Sequence, residues 1–443
     1  MRAGLVLAVF SVLSGSGSAD ANRLAHLDRL DPYYVSTDFA KLVTPQWVGD
    51  PDVDCVVVLA IDDMRDVAKY ENYLRPILNR LKKIDGRAPV SIMSNRVNLN
   101  DSATASQLQS WLDEGVSVEV HTIDHPCPLL CDNDFAKAKS TYDRCVDLMD
   151  SIPNNRAVAF RMPCCDSLNT PSPRFWNEIF EKTTPNGKHL SIDSSVFCII
   201  NDDDAEVQPQ QAFDSDGRPK FQKYLPFPSF VNTIQNYPYP YVIGRTCWEF
   251  PCMVPSDWEA QNLHRPNNPQ TVDDMKTALD VVVEKKGTYS LVFHPHGWIR
   301  ADQIVKLIDH AVSKHGNRVK FMTFRECDER IRENLLSGHP LRSRVDASGS
   351  SISDIRILDL NGDGYQDVVR LDRVHQKIHG RVWRPAQKDW IEASATFDGL
   401  LPRFGVLSKS NAGSIVYVSK ANHQLAAITW QDSGAWHGTE IST

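Results

Sequence analysis

Five short apolar runs in this chain each end in a side chain that can do chemistry. CVVVLAI ends in Asp62 and Asp63, VSVEV in His121 with His125 four residues on, and AVAF in Arg161. HLSI ends in Asp193, and YSLVF in His294 with His296 two residues further. A single aspartate or histidine after a strand is most often a turn or cap residue, but five in order form a set. Asp63, His121 and His125 supply one carboxylate and two imidazoles, donors suited to zinc or a similar divalent ion with positions left open for water and substrate. The HTIDH spacing resembles i and i+4 of a helical turn, so both rings can face one ion. Asp62 is placed to take a proton from water whose pKa an ion lowers, and Arg161 to pair with that carboxylate and orient it. His294, supported by Asp193, is placed to protonate a leaving group. On a continued strand His296 points the same way as His294; the sequence favours His294 without excluding His296.

Such a set works only if strands share one edge. From about residue 50 to 330, β-rich apolar runs alternate with stretches of helical period at 70–83, 105–114, 135–151, 271–285 and 301–314, the pattern of parallel strands with helical crossovers. The expected fold class is α/β, a (β/α) barrel, whose reactive groups gather at the carboxyl ends of the strands. Residues 201–269 break the rhythm with Pro, Asp, Asn and aromatics, and read as a long insertion that shapes a cleft. Within it Tyr237, Tyr239, Tyr241, Trp248 and Trp258 either stack on sugar rings or pack as a lid.

After about residue 343 a small polar linker, RVDASGSSISD, leads into short strand-like runs. Trp383 and Trp390 recur as Trp430 and Trp436, a faint repeat that predicts two blade-like β units, too few to close a propeller. In DLNGDGYQD, Asp359, Asn361, Asp363 and Asp367 take positions one, three, five and nine of a loop with Gly364 at six. That spacing suits an oxygen cage for calcium, with the Tyr365 carbonyl as a further ligand. Arg370 at position twelve argues against an EF-hand, and SKSNAGSIV in the second unit lacks the carboxylates, so one calcium site is expected.

The chain of 443 residues, with a formal charge of -8, 42% hydrophobic and 23% charged residues, has room for two or three globular domains. It contains no Lys/Arg-rich run, which argues against a nucleic-acid partner. The N-terminus, an early Arg, an apolar stretch and then Ala19-Asp20-Ala21, reads as a signal peptide spanning 1–21. No later stretch is apolar for long enough to span a bilayer, so a secreted or periplasmic protein is expected. Ten cysteines suit that compartment; Cys127 and Cys131, Cys164 and Cys165, and Cys247 and Cys252 lie close in sequence, and structural disulfides of unassigned pairing are expected. The expected division is 1–21 signal peptide, 22–343 catalytic domain and 344–443 β module. Oligomeric state is not legible.

AIDD, HTIDH, RMPCC, SID and LVFH, in this order, resemble the five motifs of the polysaccharide deacetylases of carbohydrate esterase family four, including the nodulation-type deacetylase domain. The resemblance spans about residues 50 to 330. It implies a distorted (β/α) barrel that hydrolyses N-acetyl or related acyl groups with a divalent metal. It assigns Asp62 as base, Asp63, His121 and His125 as metal ligands, and Arg161 as the base's partner. It also makes Asp193 the group that orients the acid His294. The backbone N–H of Cys164 would help to hold the oxyanion. Two departures stand out: Met64 where the first motif has Gly, and Cys164-Cys165 where the third has an aromatic and a Gly. The His-Pro step after the last strand resembles the allantoinase-like branch of the same fold, whose members open small cyclic amides. The C-terminal segment resembles FG-GAP/VCBS repeats. Three functions follow as expectations: an N-acetylated glycan deacetylase, an amidohydrolase for a small or non-glycan amide, and an inactive carbohydrate-binding or adhesive protein.

Overall fold

The structure is a computed structural model that describes residues 35, 39–127, 129, 134–164, 175–224, 233–244, 246–337, 354–372, 375–406, 413–431 and 434–440. The expected signal peptide, Cys131, Cys165 and most of the polar linker lie outside the described residues.

After a short helix α1 (Thr44–Val48), strands and helices alternate: β1 (Cys55–Met64), α2 (Val67–Asp85), β2 (Val90–Ser94), α3 (Ser102–Asp113), β3 (Ser117–Val120), α4 (Phe135–Asp150), β4 (Ala159–Phe160), β5 (Ile192–Asp193), β6 (Phe197–Ile199) and α5 (Pro209–Ala212). There follow β7 (Thr233–Gln235), β8 (Tyr241–Ile243), β9 (Cys247–Glu249), β10 (Cys252–Met253), α6 (Asp257–Leu263), α7 (Pro269–Lys285), β11 (Thr288–Phe293), α8 (Ala301–His315), β12 (Val319–Phe321) and α9 (Phe324–Leu336). The sheet runs β7-β6-β10-β11-β1-β2-β3-β4-β5-β9-β8, with β12 also beside β1. Its pairs are parallel except β8 with β9. Asp66, Asp101 and Asp134 cap α2, α3 and α4 by accepting backbone N–H bonds, and Gly86 stops α2 at φ 82°. β1 lies at the centre with neighbours on both edges, and its near-continuous burial matches its unbroken apolar run.

The barrel closes in a way that the run of strands and helices does not encode. Residues 192–199 and 247–253 are two bent segments that pair twice, as β5 with β9 and as β6 with β10. One end of this double segment joins β4 and the other joins β11. The result is a distorted (β/α) barrel whose ring passes through two bends. Residues 201–269 are therefore not a pure insertion, since they supply β9 and β10 to the ring. Tyr237, Tyr239, Tyr241 and Trp248 are buried. Tyr237 and Tyr239 donate to the carbonyls of Ala40 and Lys285. These four rings pack inside the protein and cannot stack on a sugar; Trp258 alone of the five is partly exposed.

Two antiparallel four-stranded sheets complete the described residues: β13 (Asp354–Leu358), β14 (Asp367–Asp372), β15 (Lys377–Arg384) and β16 (Asp389–Thr396), then β17 (Gly399–Val406), β18 (Gly413–Ser419), β19 (Leu425–Gln431) and β20 (Ala435–Glu440). Trp383 faces Trp390 across β15 and β16, and Trp430 faces Trp436 across β19 and β20, with ring centroids 5.1 and 5.3 Å apart. The sequence repeat thus corresponds to the same cross-strand pair built twice. The first sheet packs on the barrel: Val368 shares a buried cluster with Leu42, Trp47, Phe324 and Ile331.

Candidate metal and catalytic centre

At the carboxyl end of β1 two adjacent aspartates face the same mouth, which a regular strand forbids because neighbouring side chains alternate. The pairing of β1 with β2 shifts between Ile61 and Met64, and Asp63 sits at φ 70°. This bulge turns both carboxylates inward. The HTIDH segment is not a helical turn. It is an irregular loop in which Thr122 and His125 adopt φ 60° and 50°, bringing the two imidazoles to 5.1 Å. Asn95 steadies the loop by donating to the carbonyls of His121 and Thr122 at 2.8 and 2.9 Å. Left-handed non-glycine residues carry strain that surrounding structure must hold, and here four of them, with Cys164 at φ 60°, surround one site.

Asp63 Oδ1 lies 2.8 Å from His125 Nε2 and 3.4 Å from His121 Nε2, and these ligand atoms lie within 4.8 Å of one another. Asp63 Oδ1 is buried, yet no hydrogen-bond donor is aligned on it. His121 Nδ1 is 2.8 Å from the Arg161 carbonyl; a proton there leaves Nε2 as a lone pair aimed at Asp63. Were the imidazoles of His121, His125 and His296 to carry protons toward Asp63 instead, they would outweigh its burial and hold the carboxyl far below its usual range. One carboxylate oxygen and two imidazole lone pairs around an unsatisfied centre fit a divalent cation.

Asp62 is buried beside the centre, where Arg161 donates to its Oδ1 at 2.8 Å. Arg161, with no exposed surface, also donates from Nε to the Ser194 carbonyl at 2.8 Å and from a second guanidinium nitrogen to Ser194 Oγ at 3.0 Å. The guanidinium is thus fixed before it meets the carboxylate.

His294 and His296 both reach Asp63, with Nε2 at 4.0 and 3.0 Å from Oδ2. Their rings stack at 5.4 Å, and Trp298 stands edge-on to both. What separates them is the partner on Nδ1. His294 Nδ1 lies 2.8 Å from Asp257 Oδ1, while Asp257 Oδ2 accepts the His294 backbone N–H at 2.7 Å. His296 Nδ1 lies 3.3 Å from Lys69 Nζ. Burial pushes the His294 pKa down, but the charge and hydrogen bond of Asp257 reverse this and raise it to about 9.

Asp193 does not reach His294, which corrects the expected pairing. The register explains why: Val120, Phe160, Asp193 and Glu249 form one row across the sheet, a step short of His121 and Arg161. Asp193 instead accepts from Ser195 Oγ at 2.6 Å and from Trp176 Nε1 at 3.1 Å. Glu249 Oε1 accepts the backbone N–H groups of Ser195 and Val196 at 3.1 and 3.0 Å, in place of the strand partner lost at the bend. Burial raises the pKa of both carboxyls, and their proximity raises Glu249 further. The pair holds the barrel's corner. Asp257, the residue missed, lies in the stretch read as an insertion. SDWE, residues 256–259, is a capping box in which Ser256 and Glu259 bond each other's backbone N–H groups; that signal marks a helix start there.

Cys164 is disulfide-bonded to Cys127, two residues beyond His125, so the loop after Arg161 is tied to the loop carrying a candidate ligand. Cys247 and Cys252 are not joined to each other; with Cys55, Cys145, Cys198 and Cys327 they are buried and pack as small side chains. In the C-terminal loop Asp359 accepts backbone N–H bonds from Gly362, Asp363 and Gly364. Asp363 accepts from Tyr365, and Asp367 from Leu360 and Trp383. Burial, helped by Asp363 and Asp359, raises the Asp367 pKa to about 8, so a cation beside these three carboxylates would relieve their repulsion.

Residues 50–171 match the family model of the polysaccharide deacetylases, a span that contains Asp62, Asp63, His121, His125 and Arg161. No curated protein matches the chain. Among solved structures, the Puue allantoinase is similar at 10% identity, covering 65% of this chain and 93% of that one with a TM-score of 0.43. The peptidoglycan deacetylase PdaC from Bacillus subtilis gives 16%, 63%, 92% and 0.31 for the same quantities. A family 4 carbohydrate esterase from Streptomyces lividans, in complex with acetate, gives 11%, 60%, 91% and 0.33. Among the described residues no helix is long and apolar enough to cross a membrane.

Proposed function

We propose that this polysaccharide-deacetylase-type domain, a hydrolase of carbon–nitrogen bonds, removes N-acetyl groups from a glycan outside the cytoplasm, using a divalent ion held by Asp63, His121 and His125. Zinc suits that donor set best. The observation that carries the reading is the buried Asp63 Oδ1, without an aligned donor, facing two imidazole nitrogens. A bound ion would polarise the acyl oxygen and lower the pKa of water.

The protein's own groups do the rest. Asp62, oriented by Arg161, accepts the proton of the attacking water. The N–H of Cys164 supports the developing oxyanion from a loop anchored by the disulfide. His294 enters protonated and donates from Nε2 to the departing nitrogen, while Asp257 holds Nδ1 and stabilises the imidazolium. Only His294, of the two stacked histidines, has a carboxylate in this position. Asp359, Asn361, Asp363, Asp367 and the Tyr365 carbonyl would hold one calcium ion in an FG-GAP/VCBS-like module, where it would stabilise the fold.

A small cyclic or non-glycan amide is the second reading, favoured by the burial of Tyr237, Tyr239, Tyr241 and Trp248, which removes the rings that sugar stacking would use. Zinc-loaded full-length protein assayed on N-acetylated oligosaccharides and on cyclic amides, with a chelator control, decides. Chelator-sensitive acetate release supports the first reading, and turnover of the cyclic amide alone supports the second. Zinc binding without either reaction favours an inactive binding protein.

A further inference from the structure

A second group of one aspartate and two histidines lies at the other end of β11. Asp280 is on α7, five residues before the helix ends and feeds β11; His310 and His315 are in the last part of α8, which runs back from the mouth. Six strand residues at about 3.3 Å each put this group roughly 20 Å from His294. His310 Nε2 and His315 Nε2 lie 2.8 and 2.6 Å from the same atom, Asp280 Oδ1. The ligand atoms all fall within 4.8 Å. Asp280 and His315 are buried and His310 is partly exposed.

Two imidazole nitrogens converging on one carboxylate oxygen repeat the arrangement of Asp63, His121 and His125. We propose that Asp280, His310 and His315 form a second divalent-cation site, one that ties α7 to α8 and takes no part in hydrolysis. Zinc bonds to nitrogen and oxygen of about 2.0–2.2 Å in a tetrahedron require ligand atoms about 3.4 Å apart. Opening the present contacts by roughly 0.6–0.8 Å, within the reach of small side-chain rotations, admits the ion. Each imidazole then offers Nε2 as a lone pair, with any proton on Nδ1. Lys314 Nζ holds the other oxygen, Oδ2, at 2.8 Å. This leaves Oδ1 for the ion and, through repulsion, makes the site weaker than the one at the mouth. The donors select zinc or another imidazole-preferring transition ion over calcium or magnesium, which favour oxygen.

The test is zinc stoichiometry on the full chain, stripped of metal and dialysed against zinc with calcium in excess. His310→Gln keeps the volume and a hydrogen bond to Asp280 at a partly exposed position. It should bind one equivalent less zinc than the wild type, lose part of the zinc-dependent rise in Tm, and keep the wild-type circular dichroism spectrum and a single cooperative unfolding transition, which certifies folding. His315→Gln should do the same. Equal zinc content in the wild type and both variants overturns the proposal and leaves a purely structural ion-pair cluster. Because zinc is counted directly, the result stands whether or not the mouth proves to be a deacetylase.

Discussion

The two clusters of one carboxylate and two imidazoles have the same composition and opposite construction. At the mouth, Asp63, His121 and His125 come from two strand ends and a loop; three left-handed residues and a bulge aim them. At the far end, Asp280, His310 and His315 project from two regular helices, with no left-handed residue among them. The mouth keeps an unsatisfied buried oxygen, whereas the helical cluster spends its second oxygen on Lys314. In the proposed reading, strain and an unmet polar atom go with the site assigned to chemistry, and regular backbone with the site assigned to tying elements together.

The largest effect should separate ion from reaction at the mouth. Asp62→Asn should retain zinc and lose turnover by roughly two to four orders of magnitude, since an amide cannot take the proton; His125→Ala should lose the ion as well. Metal content measured beside acetate release distinguishes them, and full turnover in Asp62→Asn removes the assigned base. The second effect concerns the loops. The Cys127–Cys164 bridge spans 37 residues, for which loop entropy predicts about 4 kcal/mol at most. The Cys127→Ser/Cys164→Ser double variant should therefore unfold at lower denaturant and hold zinc less tightly at the mouth, while any zinc on the helical cluster is unaffected.

Third, Asp257→Asn should lower turnover by about tenfold to a hundredfold without loss of zinc, the usual cost of removing a partner one shell out. Asp193→Asn should act on stability instead; a pure kinetic defect in Asp193→Asn would reverse the two roles. The smallest effect concerns pH. Burial raises the Glu259 pKa to about 7, above its unfolded value near 4.3. The folded state therefore binds the proton more tightly, and stability falls as pH rises through this window and stays lowered above it. Glu259→Gln should be more stable than the wild type above pH 7 and similar below pH 4, read as Tm against pH.

The strands and helices were legible because burial writes itself into periodicity. The helical stretch at 271–285 is observed as Pro269–Lys285, and that at 301–314 as Ala301–His315. The gathering of Asp62, Asp63, His121, His125, Arg161 and His294 was legible for the same reason, each following an apolar run. Asp193 also follows one, but register, which no single run encodes, leaves it a row short of the mouth. Asp257 follows β10 after a gap of three residues, and its partner choice depends on a bent double strand that sequence pattern cannot draw. The paired tryptophans of the last two sheets were legible as a repeat; the sheets' place against the barrel was not.

That place bears on how the chain can be cut. Lys41 and Tyr365 form a parallel bridge, with Lys41 donating to the Gly364 carbonyl at 2.9 Å and accepting from Gln366 at 3.0 Å. Gln46 and Gln366 add side-chain bonds across the same seam. The seam lies on the loop with the three aspartates, so the loop's shape and the barrel's first residues are set together. Trimming the tail at the polar linker would strip Leu42, Trp47 and Phe324 of the cover Val368 gives them and leave the Lys41 backbone unpaired. The boundary most visible in the composition is thus a poor place for an engineer's scissors, and a shortened protein would need apolar-to-polar changes along that seam to stay soluble.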